Sequence, residues 1–306
     1  MLRTPILVAS RIKLIERAVE AAPLTKSVVA RFVAGTTTAD AVQATSALAA
    51  EGLLISLDHL GEDTTREEQA AATKDAYLEL LGALASAGLA AAAEVSVKLS
   101  ALGQLLDADL AYEHAAAICA AADAAGTTVT LDMEDHTTTD STLQILTRLR
   151  MQYPSTGAVI QAYLHRSAQD CRDLAQAGSR VRLCKGAYKE PESVAYQQPG
   201  EVSASYARCL GVLMNGAGYP MVATHDPQLI TLALGLAAHT GRSADSWELQ
   251  MLYGVRPDEQ KRLAGNGQRV RVYVPYGDQW YGYLMRRLAE RPANIAFFLR
   301  AIRSTK

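Results

Sequence analysis

From Leu53 onward, eight short apolar or β-branched runs punctuate the chain: LLISL (53–57), AEVSVKL (93–99), TTVTLDM (127–133), AVIQAYL (158–164), VRLCKG (181–186), MVATH (221–225), WELQML (247–252) and VRVYV (270–274). Each is bounded by polar residues or glycine, as strands are. Between them lie longer alanine-rich stretches, such as TREEQAAATKDAYLELLGALASAG, LAYEHAAAICAAADAAG and SYARCLGVLMNGAG, patterned as helices and often closed by a C-cap glycine. Continuously apolar strands alternating with crossover-length helices predict a parallel sheet covered by helices. Eight such units in roughly 250 residues predict an α/β fold, a closed (β/α)8 TIM-like barrel. A mainly helical N-terminal extension over residues 1–51 precedes it, and a doubly wound open sheet is the alternative. No Pro, Gly or Ser-rich linker divides the chain and no fixed period marks a helical repeat array, so residues 1–306 are expected to form one domain.

Composition keeps the picture globular, with 49% hydrophobic and 20% charged residues, 10 prolines and 21 glycines among 306 residues. Thirty Lys and Arg against 32 Asp and Glu give a formal charge of −2, and no basic stretch interleaves with aromatics. Nucleic acid is therefore not expected as a partner. Cys119, Cys171, Cys184 and Cys209 lie far apart with no CxxC pair, which fits small apolar fillers in a reducing cytoplasm. The N-terminus, MLRTPILVASRIKLIERAVEAA, lacks the apolar core and cleavage site of a secretory signal. The longest uncharged runs, Leu80 to Ala93 and Cys209 to Thr224, are shorter than the ~20 residues of a membrane span. The expectation is a cytoplasmic protein whose membrane contact, if any, is peripheral.

A barrel of this kind builds its site at the carboxyl ends of the strands. Those ends are polar here: Asp58 and His59, Lys98, Asp132 with Glu134 to His136, Gln161 with Tyr163 and His165, Arg182 with Lys185 and Tyr188. Thr224 to Asp226, Gln250 with Tyr253, and Tyr273 with Tyr276 continue the series. Some have a local explanation: Asp226 serves either the site or the N-cap of PQLITLALGL, and Asp140 or a neighbouring threonine is expected to cap the helix after DMEDHTTTD. Lys98 and Asp132 differ, because a charge in a largely apolar strand must point into the mouth and find a partner.

A metal-assisted hydrolase using His59, Asp132, His136 and His225 stays open, although no HxH pair ends the first strand and HExxH is absent. The GxG of GNGQRV (265–270) precedes a strand instead of following one, no GxSxG elbow occurs, and Cys184 reads as a packed strand residue. The remaining Lys, Arg, Gln, Tyr and His set suits a polar planar ligand and a small anion. After the last strand, YGYLMRRLAER (281–291) places Tyr283, Arg286, Arg287 and Glu290 on one helical face. On its own that face is most economically a solvated ion-pair stripe; the other reading is a pair of guanidiniums aimed at one carboxylate.

The motifs SVKLSALG, LDMEDH, VIQAYL, VRLCKGAY, VATHD, QMLYG, VRVYVPYG and YLMRRLAE occur in order over roughly residues 50 to 300. In this arrangement the chain resembles the flavin-dependent proline dehydrogenases. The resemblance implies oxidation of L-proline to 1-pyrroline-5-carboxylate, the first step of proline catabolism, with FAD as cofactor and electrons passing from FADH2 to a quinone. It implies that Asp132 and Arg182 are catalytic-site residues, Arg182 lying close to the flavin. It assigns substrate binding to Lys98, Leu252, Tyr273, Tyr283, Arg286, Arg287 and Glu290, with the arginine pair on the carboxylate. FAD contacts fall on Met133, Gln161, Arg182, Lys185, Gly186, Ala187, Thr224 and His225. Cys184 stands where the family more often has an aliphatic residue, and the resemblance is to the monofunctional form, so the aldehyde dehydrogenase domain of bifunctional members is not expected.

Overall fold

The computed structural model describes residues 29–62, 64–176 and 178–290, with side chains as far as residue 285. Of the expected helical extension over residues 1–51, residues 1–28 lie outside the described residues. Helix α1 (Thr38–Ala50) opens on a capping box, in which the Thr37 hydroxyl accepts from Asp40 N and the Asp40 carboxylate accepts from Thr37 N. The chain then alternates β1 (Leu54–His59), α2 (Glu67–Ser86), β2 (Ala93–Val97), α3 (Ala108–Ala124), β3 (Val129–Leu131), α4 (Thr139–Arg150), β4 (Gly157–Gln161) and α5 (Ser167–Leu174). It continues with β5 (Arg180–Cys184), α6 (Pro199–Asn215), β6 (Tyr219–Ala223), α7 (Pro227–His239), β7 (Glu248–Leu252), α8 (Pro257–Gly265), β8 (Val270–Tyr276) and α9 (Trp280–Glu290). All strand pairs are parallel, and β8 closes on β1 from Leu54 opposite Arg271 to His59 opposite Tyr276. The closed eight-stranded barrel is the predicted one.

The strands differ from the expectation in one respect: they are not apolar on both faces. Outward positions are apolar without exception at Ile55, Leu57, Val95, Val97, Val181, Leu183, Leu249, Met251, Val272 and Val274, all buried against helical side chains such as Leu80, Leu84, Ile118, Tyr206 and Leu210. Each such side chain contributes about 1.5–3 kcal/mol by leaving water. The alternate residues, Ser56, Glu94, Ser96, Thr130, Arg182, Glu248, Gln250 and Arg271, turn into the bore and are equally buried. The period-two alternation was masked in the sequence because the inward set carries charge at only some positions. The bore is filled, not hollow: a Cβ on Gly157 would lie 2.6 Å from Thr130 Oγ1.

Residues 29–36 brace the last helix. Ala34 N donates to Pro275 O at 2.9 Å and Gly277 N to Gly35 O at 3.0 Å. Phe32 and Val33 then pack with Leu60, Tyr281, Tyr283, Leu284 and Met285, seating α9 beside the barrel mouth. Among the described residues, no helix is long and apolar enough to cross a membrane.

Candidate active site

Lys98 and Asp132 each fall one residue beyond the end of their strand, β2 and β3, so their side chains meet at the mouth. They pair only loosely, with Lys98 Nζ 3.9 Å from Asp132 Oδ2. Lys98 instead donates to both oxygens of Asp58, at the end of β1, at 2.7 Å each. Burial works against the ammonium, but Asp58 and Asp132 together hold it charged, above the usual lysine value. Asp132 takes its short bonds from Arg182 at 2.7 Å, Ser96 Oγ at 2.8 Å and the Tyr273 hydroxyl at 2.7 Å. Burial, with the negative charges of Asp132 and Asp58 nearby, pushes the Tyr273 phenol well above its ordinary range, so it is a neutral donor.

Arg182 projects inward from β5 and commits all five of its N–H donors within the protein. Nε donates to Gln250 Oε1 (2.5 Å), Nη1 to Ser96 Oγ and Asp132 Oδ1 (2.7 Å each), and Nη2 to Ser56 Oγ (2.9 Å) and Glu94 Oε1 (3.1 Å). Below it Glu94 also receives Arg180 Nη2 at 2.6 Å, and Glu248 receives Arg271 Nε at 2.6 Å. Four cations, Lys98, Arg180, Arg182 and Arg271, thus face four carboxylates, Asp58, Glu94, Asp132 and Glu248. Such a set is stable in a low-dielectric bore only because every charge has partners.

Above this lies a cavity of about 810 Å³. One wall is the loop after β5, where Gly186 adopts φ +108° and lies so close against the Tyr163 ring that any Cβ would collide with it. Lys185 Nζ donates to Asp226 Oδ2 and Ser203 Oγ at 3.1 Å each. Asp226 holds both of its expected places, since its Oδ1 also caps α7 by accepting from Gln228 N at 3.0 Å. Leu252 N donates to His225 Nε2 at 2.9 Å, which places the ring hydrogen on Nδ1. Gln161 Nε2 donates to Glu134 O at 2.7 Å, orienting its Oε1 as an acceptor.

Every expected site residue whose side chain is described lines this one cavity: Lys98, Asp132, Met133, Gln161, Arg182, Lys185, Gly186, Ala187, Thr224, His225, Leu252, Tyr273 and Tyr283. Arg286, Arg287 and Glu290 belong to α9, but their side chains lie outside the described residues. Cys184 ends β5 as a strand residue at an inward position, where it also lines the cavity, with burial pushing its thiol up to about 12. Within DMEDHTTTD a threonine, Thr138, does hold the N-cap position of α4, but its side chain makes no capping bond. Asp135 accepts from Thr137 N at 2.8 Å and opens a 3-10 turn ahead of α4, while Asp140 pairs with Arg166 at 2.6 Å. His59, Asp132, His136 and His225 do not converge: His136 bonds Glu190, and His59 packs edge-on against Tyr276. Among the described residues, no group of three or more His, Cys, Asp or Glu side chains is placed to hold a metal ion.

Asp58, Glu94, Glu248 and Arg271 had no assigned role, yet the structure joins them to the site. The signal that picks out Lys98, a charge inside an apolar run, marks Glu94, Glu248 and Arg271 equally.

The chain is also similar to known proteins. The family profile described as Proline dehydrogenase matches residues 41–300. The chain is 40% identical to Proline dehydrogenase 1 of Bacillus subtilis (strain 168) over 272 residues, 89% of each protein. It is also 40% identical to Proline dehydrogenase of Deinococcus radiodurans over 277 residues, again 89% of each. Among solved structures, proline utilization A (PutA) from Bdellovibrio bacteriovorus, inactivated by N-propargylglycine, superposes with a TM-score of 0.79 at 26% identity. That match covers 86% of this chain but only 32% of the PutA chain, so this chain spans about a third of it.

Proposed function

Because the chain belongs to the proline dehydrogenase family, we propose that the cavity at the barrel mouth is where it binds FAD and oxidises L-proline to 1-pyrroline-5-carboxylate. The protein is a flavin-dependent oxidoreductase of proline catabolism. The observation that carries the placement is that the described site residues, drawn from seven strand ends and α9, all line one cavity. Residues 1–306 act as one domain in this reading.

The residues present fit FAD. The cavity's volume suits a ligand of cofactor size, Lys185 supplies a cation at the rim for phosphates, and Met133, Val159 and Met251 provide apolar surface for a planar ring. Gln161, Thr224 and His225 offer oriented polar atoms, and Gly186 keeps the loop backbone free of a side chain. When bound, FAD supplies the hydride acceptor.

The protein's own part is orientation and charge. Tyr283 lines the cavity from α9, and three and four residues further on the helical repeat carries positions 286 and 287 to the same face. Arg286 and Arg287 clamp the substrate carboxylate, Glu290 keeps that pair in order, and Tyr273, Tyr283 and Leu252 enclose the ring. Lys98, held charged by Asp58, and Asp132, held by Arg182 and Tyr273, set the polar wall opposite.

Electrons leave to a quinone. In this reading any contact with the inner face of the membrane is peripheral. Arg286→Ala and Arg287→Ala are expected to raise KM for proline at least ~10-fold while leaving FAD bound. Unchanged kinetics in both would remove the carboxylate clamp.

A further inference from the structure

The residues of the mouth rest on a second charged tier, two residues lower along the same strands. Glu94 lies below Ser96 in β2, Arg180 below Arg182 in β5, Glu248 below Gln250 in β7 and Arg271 below Tyr273 in β8. None of the four lines the cavity, and all are buried or nearly so. Glu94 is the node that joins the tiers. Its Oε1 accepts from Arg182 Nη2 at 3.1 Å, Ser56 Oγ at 3.0 Å and Thr130 Oγ1 at 3.3 Å. Its Oε2 accepts from Arg180 Nη2 at 2.6 Å and Thr128 Oγ1 at 3.3 Å. Arg182 in turn holds Asp132 Oδ1, so a continuous line runs from Glu94 through one guanidinium to the carboxylate at the mouth.

We infer that Glu94 is a positioning residue for the oxidation: by engaging one side of Arg182, it fixes the plane of the guanidinium and so the place of Asp132 and the charge presented to the flavin. This rests on the reading of the cavity as the FAD and proline site. The geometry favours it over a purely structural part for Glu94. A rigid planar cation with five donors aligned to five acceptors has one orientation: Nη2 meets Glu94 and Ser56, neither of which lines the cavity, while Nη1 meets Asp132, which does. Without the Glu94 charge, Arg180 and Arg271 also lose a counter-charge inside the bore, leaving it more positive. A more positive surround favours the electron-richer, reduced flavin.

The test uses the purified, FAD-loaded enzyme. The wild type, titrated anaerobically with proline, first checks the underlying reading through loss of the flavin's visible band; if it fails to bleach, that reading falls and not merely this one. With a bleaching wild type, Glu94→Gln is expected to lower kcat per bound flavin by about 10-fold or more with KM for proline within about twofold. The flavin midpoint potential should shift positive. Glu94→Asp, which keeps the charge on a shorter stem, should return the potential to the wild-type value and recover part of kcat. A residue that only supported the fold would lower the melting temperature and flavin content and move neither quantity per flavin. Wild-type kcat and potential in Glu94→Gln would therefore overturn the inference. If Glu94→Gln does not fold, Ser56→Ala removes the hydroxyl between Arg182 and Glu94 without changing charge. It should cost kcat a few-fold at unchanged potential, and an unchanged kcat would equally overturn the inference.

Discussion

Two neighbours in β5, Arg182 and Leu183, show what separates the two faces of this barrel. Both are buried, at 4% and 0% exposure, and they are adjacent in sequence. Leu183 points outward into the apolar layer shared with the helices, where its value is the area it removes from water and the space it fills. Arg182 points inward, where burial alone is a penalty and only five hydrogen bonds and two carboxylates make the position tenable. One face holds the barrel together; the other tells a ligand where to lie. The same alternation recurs at Val95 beside Glu94 and at Leu249 beside Glu248.

The comparison is broken most sharply from the inside. Arg182→Lys keeps the charge but has fewer donors in a different geometry, and should lower proline oxidation by about 100- to 1,000-fold at an estimated stability cost of only ~1–3 kcal/mol. Steady-state kinetics normalised to bound flavin, with denaturant unfolding alongside, measure both. Leu183→Ala should do the reverse: a stability loss of about 2–5 kcal/mol from the cavity it leaves, with kcat per flavin within about twofold.

The third effect is the acid limb of stability. Burial opposes ionisation of Glu94, but Arg271, Arg180 and Arg182 outweigh it and hold its carboxyl far below the ordinary 4.5; Arg271 also lowers that of Glu248 against its burial. A carboxyl with a folded value below its unfolded one contributes stability above the unfolded value and loses it as pH falls. Glu134, raised by burial, works in the opposite sense. Unfolding free energy should thus hold near neutrality and fall below about pH 4.5, and Glu94→Gln should flatten that limb, whereas Leu183→Ala should lower the whole curve without changing its shape.

The outward face was the more legible of the two. Ile55, Leu57, Val95, Val97, Val272 and Val274 announce strands by their chemistry alone, and with helix-length spacers they yield the eight-stranded closed barrel. The mouth was legible where position and motif coincided, at Lys98, Asp132 and the residues of VRLCKGAY. The lower tier was not, because its meaning lies in pairings between strands far apart in sequence. Glu94 and Arg180 are separated by 86 residues, and nothing local says that they touch. The partner of Lys98 was missed for a related reason: Asp58 and Asp132 sit at equivalent strand ends, and only the barrel's closure decides which carboxylate lies nearer.

The most direct test of the division is anaerobic addition of L-proline to the purified flavoprotein, following the visible flavin band in the wild type, Arg182→Lys and Leu183→Ala. The wild type and Leu183→Ala should bleach at similar rates per flavin, while Arg182→Lys bleaches slower by about 100-fold or more. Rapid bleaching in Arg182→Lys, with loss of bleaching in Leu183→Ala, would contradict the account.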